Sequence, residues 1–428
     1  MSFFRQWGRF LLLASQAHAR WEIGVARTIL SDRKRLIILW LLILPVLAGA
    51  VALAAPMGDV MPEILGGKKA YSPAFFTIGI FVASIFIGLG AGLITGCIGA
   101  GGGFIIAPAL MSAGIKGILA VGTDLFHIFA KAIMGSVIHR KLGNVNVLLA
   151  VIFLVGAIAG ATGGGAINRV LYEINPVLSD AFITTIYVVM LGGLGFYALG
   201  DFLRARRKID RAARGSGKSE GVEMGNLPRR LQAVRIPPMV AFDQGLVPGG
   251  RRISSVFLVL SGALVGFCAA IMGVGGGFLT FPIFVYMLGV SSATTVGTDI
   301  FQIVFTAGFA SITQYAIYGF IFYTLAMGML LGSLLGIQIG AMVTKVVPGI
   351  TIRGFYAMAV LSGFINRAFA LPGKLAELEI LPLSRTVVKV LDTIGVWAFF
   401  LVIGIFAVWV IGTFLANLKT LKGEGAVP

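Results

Sequence analysis

One glycine-rich stretch is written twice in this chain, and it limits the folds open to it. The first copy is Gly99-Ala-Gly-Gly-Gly-Phe104, with Pro108 behind it and Val121-Gly-Thr-Asp124 further on. The second is Gly273-Val-Gly-Gly-Gly-Phe278, with Pro282 and Val296-Gly-Thr-Asp299. The glycine runs lie 174 residues apart (Gly99 to Gly273) and the triplets 175 apart (Gly122 to Gly297). A unit this long holds several helices, so it is half of a duplicated domain rather than a solenoid repeat. Both copies interrupt apolar sequence, where unwound backbone is tolerated only if protein or a cavity surrounds it. Interrupted helices at matching places in two halves point to a transporter binding site.

The chain is 58% hydrophobic and only 12% charged, against about 25% charged in soluble proteins. These values give a polytopic α-helical membrane protein. The net charge of +17 is concentrated in the N-terminal arm and in residues 204–252. Such clusters are first an orientation signal and then a contact for anionic lipid. No nucleic-acid module accompanies them. Cys97 and Cys268 sit in apolar spans and read as buried thiols. No metal-ligand cluster, cofactor motif or nucleophile–base pair stands out, so an enzyme is not expected.

Residues 1–35 read as a basic amphipathic arm lying on the membrane, and 36–73 as a first transmembrane helix with an outer loop. Repeat 1 occupies 74–203 and repeat 2 occupies 253–370, joined by a basic, mobile linker at 204–252. Residues 371–428 hold an outer segment, a last helix and a tail. Spans are expected at 74–98, 117–139, 146–167 and 178–203, then at 254–272, 293–317, 320–345, 350–370 and 393–416. The basic groups Arg140-Lys141 and Arg204–Arg214 belong on the cytoplasmic side. Residues 74 to 204 then cross an odd number of times, so the short segment after the glycines supplies a fifth crossing. The expected architecture is two inverted-topology repeats with Gly-rich broken helices, plus one helix at each end. Both termini are expected in the cytoplasm.

The glycine runs bring backbone N–H groups to a ligand at the positive end of a short helix. Gly101, Gly102, Gly103 and Phe104, with Gly275, Gly276, Gly277 and Phe278, are therefore candidate substrate-binding residues, and Thr123 and Thr298 add hydroxyls. The competing reading is close helix packing through small residues. Asp124 and Asp299 are candidate proton carriers, since a carboxylate inside a membrane is costly and functional by default. The competing reading makes each triplet an N-cap opening its helix. Lys131 lies seven residues after Asp124 and four after His127, on one helical face. It is a candidate anion ligand with His127 in the proton path, or else one half of a buried ion pair. Its counterpart in the second half is Thr306, and that of His127 is Gln302. Asn366 and Arg367 read as an interfacial anchor.

At the doubled Gly-x-Gly-Gly-Gly-Phe and Gly-Thr-Asp motifs, and at His139-Arg-Lys-Leu-Gly-Asn-Val145, the chain resembles the sulfite exporter TauE/SafE family. The resemblance covers roughly 74–203 and 254–370. It implies a secondary transporter in a bacterial inner membrane for a sulfur-containing anion such as sulfite, thiosulfate or an organosulfonate, with export the expected direction. Many members carry Ser where Asp124 and Asp299 stand, which marks a Gly-Thr-Asp subgroup. Two other classes stay open: a cation-coupled carrier of another small anion, and a scaffold or sensor acting through the basic linker. A homo-oligomer is compatible with all three.

Overall fold

The computed structural model describes residues 78–98, 102–141, 145–213, 226–243, 250–344 and 346–417. The expected arm, the first span and its loop, Gly101 and the tail beyond residue 417 lie outside the described residues. Nearly all the rest is helix. In chain order come α1 (Ile78–Ile98), α2 (Gly103–Ser112), α3 (Gly117–Lys141), α4 (Val147–Ile174) and α5 (Pro176–Ala213). A short α6 (Asn226–Ala233) follows, then strands β1 (Met239–Phe242) and β2 (Arg251–Ser254). The second half has α7 (Ser255–Met272), α8 (Gly277–Pro282), α9 (Ser292–Phe309), α10 (Tyr323–Val343) and α11 (Gly349–Glu377). The last helix is α12 (Arg385–Ala416). Among the described residues eight helices are long and apolar enough to cross a membrane.

Glycine seams set how these helices pack. Gly88, Gly92 and Gly96 of α1 lie against the backbone of Met329, Ser333 and Ile337 of α10. Gly332, Gly336 and Gly340 of α10 answer with Ile85, Leu89 and Leu93 of α1. A Cβ at Gly92 would stand 2.5 Å from the Ser333 carbonyl oxygen, so only a missing side chain allows this approach. The same seam is built again between α4 and α7, where Gly156, Gly160 and Gly164 meet Val259, Ala263 and Phe267. Gly262 and Gly266 of α7 meet Phe153 and Ala157 of α4. The first helix of each half thus packs on the fourth helix of the other.

The order of these contacts gives helix directions. In both seams residue numbers rise together, so α1 runs parallel to α10, and α4 to α7. His127 of α3 meets Ser333 of α10 and Thr123 meets Phe322 just before it, so these two are parallel as well. Asn146 at the start of α4 bonds Thr298 of α9 and Arg169 bonds Gln314 beyond it, again in parallel. Gly122 packs on Tyr315 and Gly308 on Phe129, so α3 and α9 are antiparallel. Gly192 packs on Phe364 and Gly354 on Phe202, so α5 and α11 are antiparallel too. Each long helix of the first half runs opposite to its counterpart in the second. Because α1 and α3 share a direction, the chain between them runs back against both, and the ten-residue α2 lies on that return. The same holds for α8 between α7 and α9.

One expectation changes. The sequence reads residues 204–252 as a mobile linker, yet residues 226–254 contain a docked element. Strands β1 and β2 pair antiparallel, with Val240 opposite Ile253. Val240, Phe242 and Ile253 are buried against Leu149, Phe153 and Phe284. Asp243 accepts from Ser291 N (2.8 Å), Ser291 Oγ (2.7 Å) and Thr294 Oγ1 (2.6 Å). Gln232 and Arg251 donate to the carbonyls of Leu288 and Gly289. The element therefore caps the far end of the second broken helix, and its apolar strand faces are too short to announce this in sequence.

Candidate functional site

The two glycine turns meet inside the bundle. Gly102 precedes α2 at φ 69° and Gly276 precedes α8 at φ 90°, a region open to glycine and costly to other residues. No side chain caps either helix. A Cβ on Gly103 would stand 2.9 Å from the Val274 Cα and 2.8 Å from Ile128 Cδ1, so the turns touch each other directly. Phe104 and Phe278 pack beside them, their rings tilted by 41° with centroids 6.4 Å apart. Gly275 and Gly277 are buried in the second turn. The glycines thus serve both readings at once: close packing, and two helix starts brought to one place. Past Pro282 the second broken helix widens into a π-helical turn, Ile283–Leu288, and α9 does so at Ala310–Tyr315. Such turns often mark functional sites.

The broken end of α7 is handled by side chains of three other elements. Helix ends leave carbonyls without partners. Here Tyr315 donates to Ala270 O, Tyr187 to Met272 O, and Asn168 to both Ile271 O (3.2 Å) and the Tyr315 hydroxyl (3.0 Å). All three side chains are buried.

Asp124 and Asp299 are not helix caps. α3 begins at Gly117 and α9 at Ser292, so both carboxylates lie seven residues into their helices, where the first-turn N–H groups are out of reach. Both are buried. The two surroundings differ. On α9, Gln302 donates to Asp299 Oδ1 (2.9 Å) and Thr306 donates to Gln302 Oε1 (2.7 Å), a closed ladder of neutral partners. On α3, His127 Nδ1 stands 3.5 Å from Asp124 Oδ1, and His127 Nε2 is 2.9 Å from Ser333 Oγ. Neither oxygen of Asp124 makes a hydrogen bond. Lys131, half-buried, lies two turns on along the same face.

Thr123 and Thr298 have matched roles. Thr123 Oγ1 accepts from Phe322 N (2.9 Å) at the start of α10, and Thr298 Oγ1 accepts from Asn146 N (3.0 Å) at the start of α4. Each ties its helix to the fourth helix of the other half. Asn366 and Arg367 do not sit at an exposed interface. Both are buried in α11, with Arg367 only 3% exposed, which corrects the anchor reading.

A family model described as sulfite exporter TauE/SafE matches residues 83–366, the span of both halves. The chain belongs to the sulfite exporter TauE/SafE family. Two Bacillus subtilis proteins of similar sequence carry the names "Probable membrane transporter protein YjnA" and "Probable membrane transporter protein YunE". The first is 26% identical over 61% of this chain and 89% of its own length. The second is 24% identical over 62% and 89%. An Arabidopsis thaliana protein, "Sulfite exporter TauE/SafE family protein 6", is 33% identical over 26% of this chain and 28% of its own. No solved structure matches the chain. A TauE/SafE chain is a multi-pass membrane transporter, and the family is one of transporters rather than enzymes.

Proposed function

We propose that this protein is a secondary transporter of a small sulfur-containing anion, sulfite, thiosulfate or an organosulfonate, built as two inverted-topology halves that rock against each other. The observation that carries the reading is the ladder Asp124–His127–Lys131 on α3. It is a buried carboxylate without a hydrogen bond, an imidazole and a lysine on one face of a helix beside the meeting point of the glycine turns. Charged groups at such depth belong to substrate and ion pathways by default.

In the cycle we propose, Lys131 supplies positive charge to the anion. The backbone N–H groups from Gly101 to Phe104 and from Gly275 to Phe278 supply hydrogen bonds. Asp124 exchanges a proton, with His127 as the relay toward Ser333. Asp299 belongs to the same candidate proton set, but its neutral ladder favours a lesser share. The turns touch at Gly103 and Val274, so the anion enters when the halves separate, and Thr123 and Thr298 couple that motion to α10 and α4. The opposed directions of counterpart helices support the inverted pair.

Arg204, Arg206, Arg207, Arg251, Arg252 and Arg353 fall at one end of the bundle, and the other end is of mixed charge. The positive-inside rule then supports a cytoplasmic basic end and cytoplasmic termini, in a bacterial inner membrane, with export as the direction. Anionic lipid is the expected partner of the basic arm and linker. The unbonded Asp124 oxygens also favour a second reading, in which a cation such as sodium replaces the proton.

The test is thermal unfolding of the detergent-purified protein with sulfite, thiosulfate, sulfate, sulfoacetate and taurine at two pH values. A ligand that binds the folded state raises its stability. Stabilisation by one sulfur anion, lost in Lys131→Ala, is expected. Equal stabilisation of wild type and Lys131→Ala by every anion would remove Lys131 from the site. Dependence on sodium without dependence on pH would select the second reading.

A further inference from the structure

At the end of the bundle remote from the β-hairpin lies a cavity of about 850 Å³. Its wall comes from the turn between α2 and α3, the start of α5, the end of α11 and the start of α12. Because α12 stands outside the duplicated halves, duplication alone does not build it.

The wall is unusually charged for the edge of a membrane bundle. Lys116, Arg367, Lys374, Arg385 and Lys389 line it, against Asp180, Glu377 and Asp392. Lys374 sits 3.5 Å from both Asp180 and Glu377, so it accounts for two of these carboxylates. Lys116 donates to the Tyr172 hydroxyl (3.1 Å). Arg385 and Lys389 are exposed and one turn apart on α12, with Asp392 the acidic residue nearest in sequence on that helix.

Arg367 decides the matter. Its Nε donates to Asn366 Oδ1 (2.7 Å), and its Nη2 donates to Pro108 O (3.2 Å) and Ser112 Oγ (2.7 Å). All three acceptors are neutral, and none of the ion pairs among the described residues includes Arg367. A guanidinium has five N–H donors in a fixed fork. These bonds hold one edge of the fork and leave the Nη1 hydrogens for the cavity that Arg367 lines. Its nearest carboxylates, Asp180 and Asp392, act on it only at longer range; a buried cation without a carboxylate in direct contact is costly, and a planar guanidinium edge suits an oxyanion. A cation near the C-terminal half of α2 suits the helix dipole, but that does not explain the free edge or the basic pair Arg385 and Lys389 at the rim.

We propose that this cavity is a second binding site, for a small oxyanion of the sulfonate, sulfate or thiosulfate type. Arg367 Nη1 anchors the anion, and Arg385 and Lys389 supply the charge at its mouth. The floor is the C-terminal turn of α2, whose first residue is Gly103. The site therefore stands one short helix, about 15 Å, from the glycine turns. Its role as a holding point for the transported anion rests on the transporter reading, while the binding itself does not.

The experiment is equilibrium dialysis of radiolabelled thiosulfate against the full-length purified protein at low ionic strength, with sulfate as competitor. Wild type is expected to bind at two classes of site. Arg385→Gln with Lys389→Gln should weaken one class about tenfold and leave the other unchanged, while Lys131→Ala does the reverse. Arg367→Lys keeps the charge and loses the fork, so it should weaken the same class as the α12 pair. If Arg367→Lys fails to fold, the exposed α12 pair carries the test. The proposal is overturned if the α12 double variant binds as wild type does, or if wild type shows only the class sensitive to Lys131, or no binding at millimolar thiosulfate. A single class sensitive to the α12 pair but indifferent to Lys131 would keep this site and sink the central one.

Discussion

Alanine in place of Gly276 asks what holds the second glycine turn in its shape. Gly276 has φ 90°, and an L residue in the left-handed region costs about 1–2 kcal/mol. An added methyl would come within 2.6 Å of Val265 Cγ1, while the next nearest atoms lie at 3.7 and 3.8 Å. The obstruction is thus the end of one side chain, and overpacking of this kind adds about 1–3 kcal/mol. Val265→Ala removes that methyl. Alone it leaves a small void, but combined with Gly276→Ala the void is filled from the other side. The double variant should be more stable than the sum of its parts by about 1–2 kcal/mol. Gly102→Ala with Thr95→Ala is the matched control. There the methyl would stand 2.5 Å from Thr95 Oγ1 and 2.8 Å from Ala91 O. Trimming the threonine leaves the backbone carbonyl in place, so little should be recovered. The assay is denaturant unfolding of all single and double variants in one detergent. Equal coupling energies in the two cycles, or none in either, would refute the reasoning.

Asp243→Ala should cost about 2–4 kcal/mol, because the three donors it now receives at Ser291 and Thr294 lose a buried acceptor. Faster hydrogen exchange in β1 and β2 would report it, and unchanged exchange would mean the apolar faces suffice. Tyr187→Phe and Tyr315→Phe should each lose about 1–3 kcal/mol by stranding a carbonyl at the end of α7, seen as a lower unfolding midpoint. Gly336→Leu should separate α1 from α10, since an added Cβ would stand 2.4 Å from the Leu89 carbonyl oxygen. Loss of the monodisperse species in size-exclusion chromatography is the expected result.

Much of this arrangement is legible in the residues because apolar length and glycine are local signals. The span expected at 254–272 is α7, that at 117–139 is α3, and both broken helices start behind their glycine runs. Helix ends with polar character are harder. α11 continues to Glu377 and α12 begins at Arg385, because long charged side chains there reach the bundle edge while their backbone stays helical. In the sequence the fifth crossing rests on charge alone.

The candidate site is less legible. Asp124 and Asp299 have identical local sequence, Gly-Thr-Asp, so sequence cannot separate a closed ladder from an open one. That difference lies in His127 against Gln302 and in Ser333 on another helix. The partners of the α7 carbonyls come from three distant elements, and no local pattern marks them. Arg367 reads as an anchor because a basic residue near a helix end usually is one. Only packing against Pro108 and Ser112 shows it inside.

The most direct test of the whole account is uptake of radiolabelled thiosulfate into proteoliposomes, with and without a pH gradient. Wild type is compared with Lys131→Ala, Asp124→Asn and Asp299→Asn. The account predicts saturable flux that responds to the gradient in wild type. It predicts loss of flux in Lys131→Ala, flux that ignores the gradient in Asp124→Asn, and near-normal behaviour in Asp299→Asn. Flux and gradient response that are the same in all four proteins would contradict it.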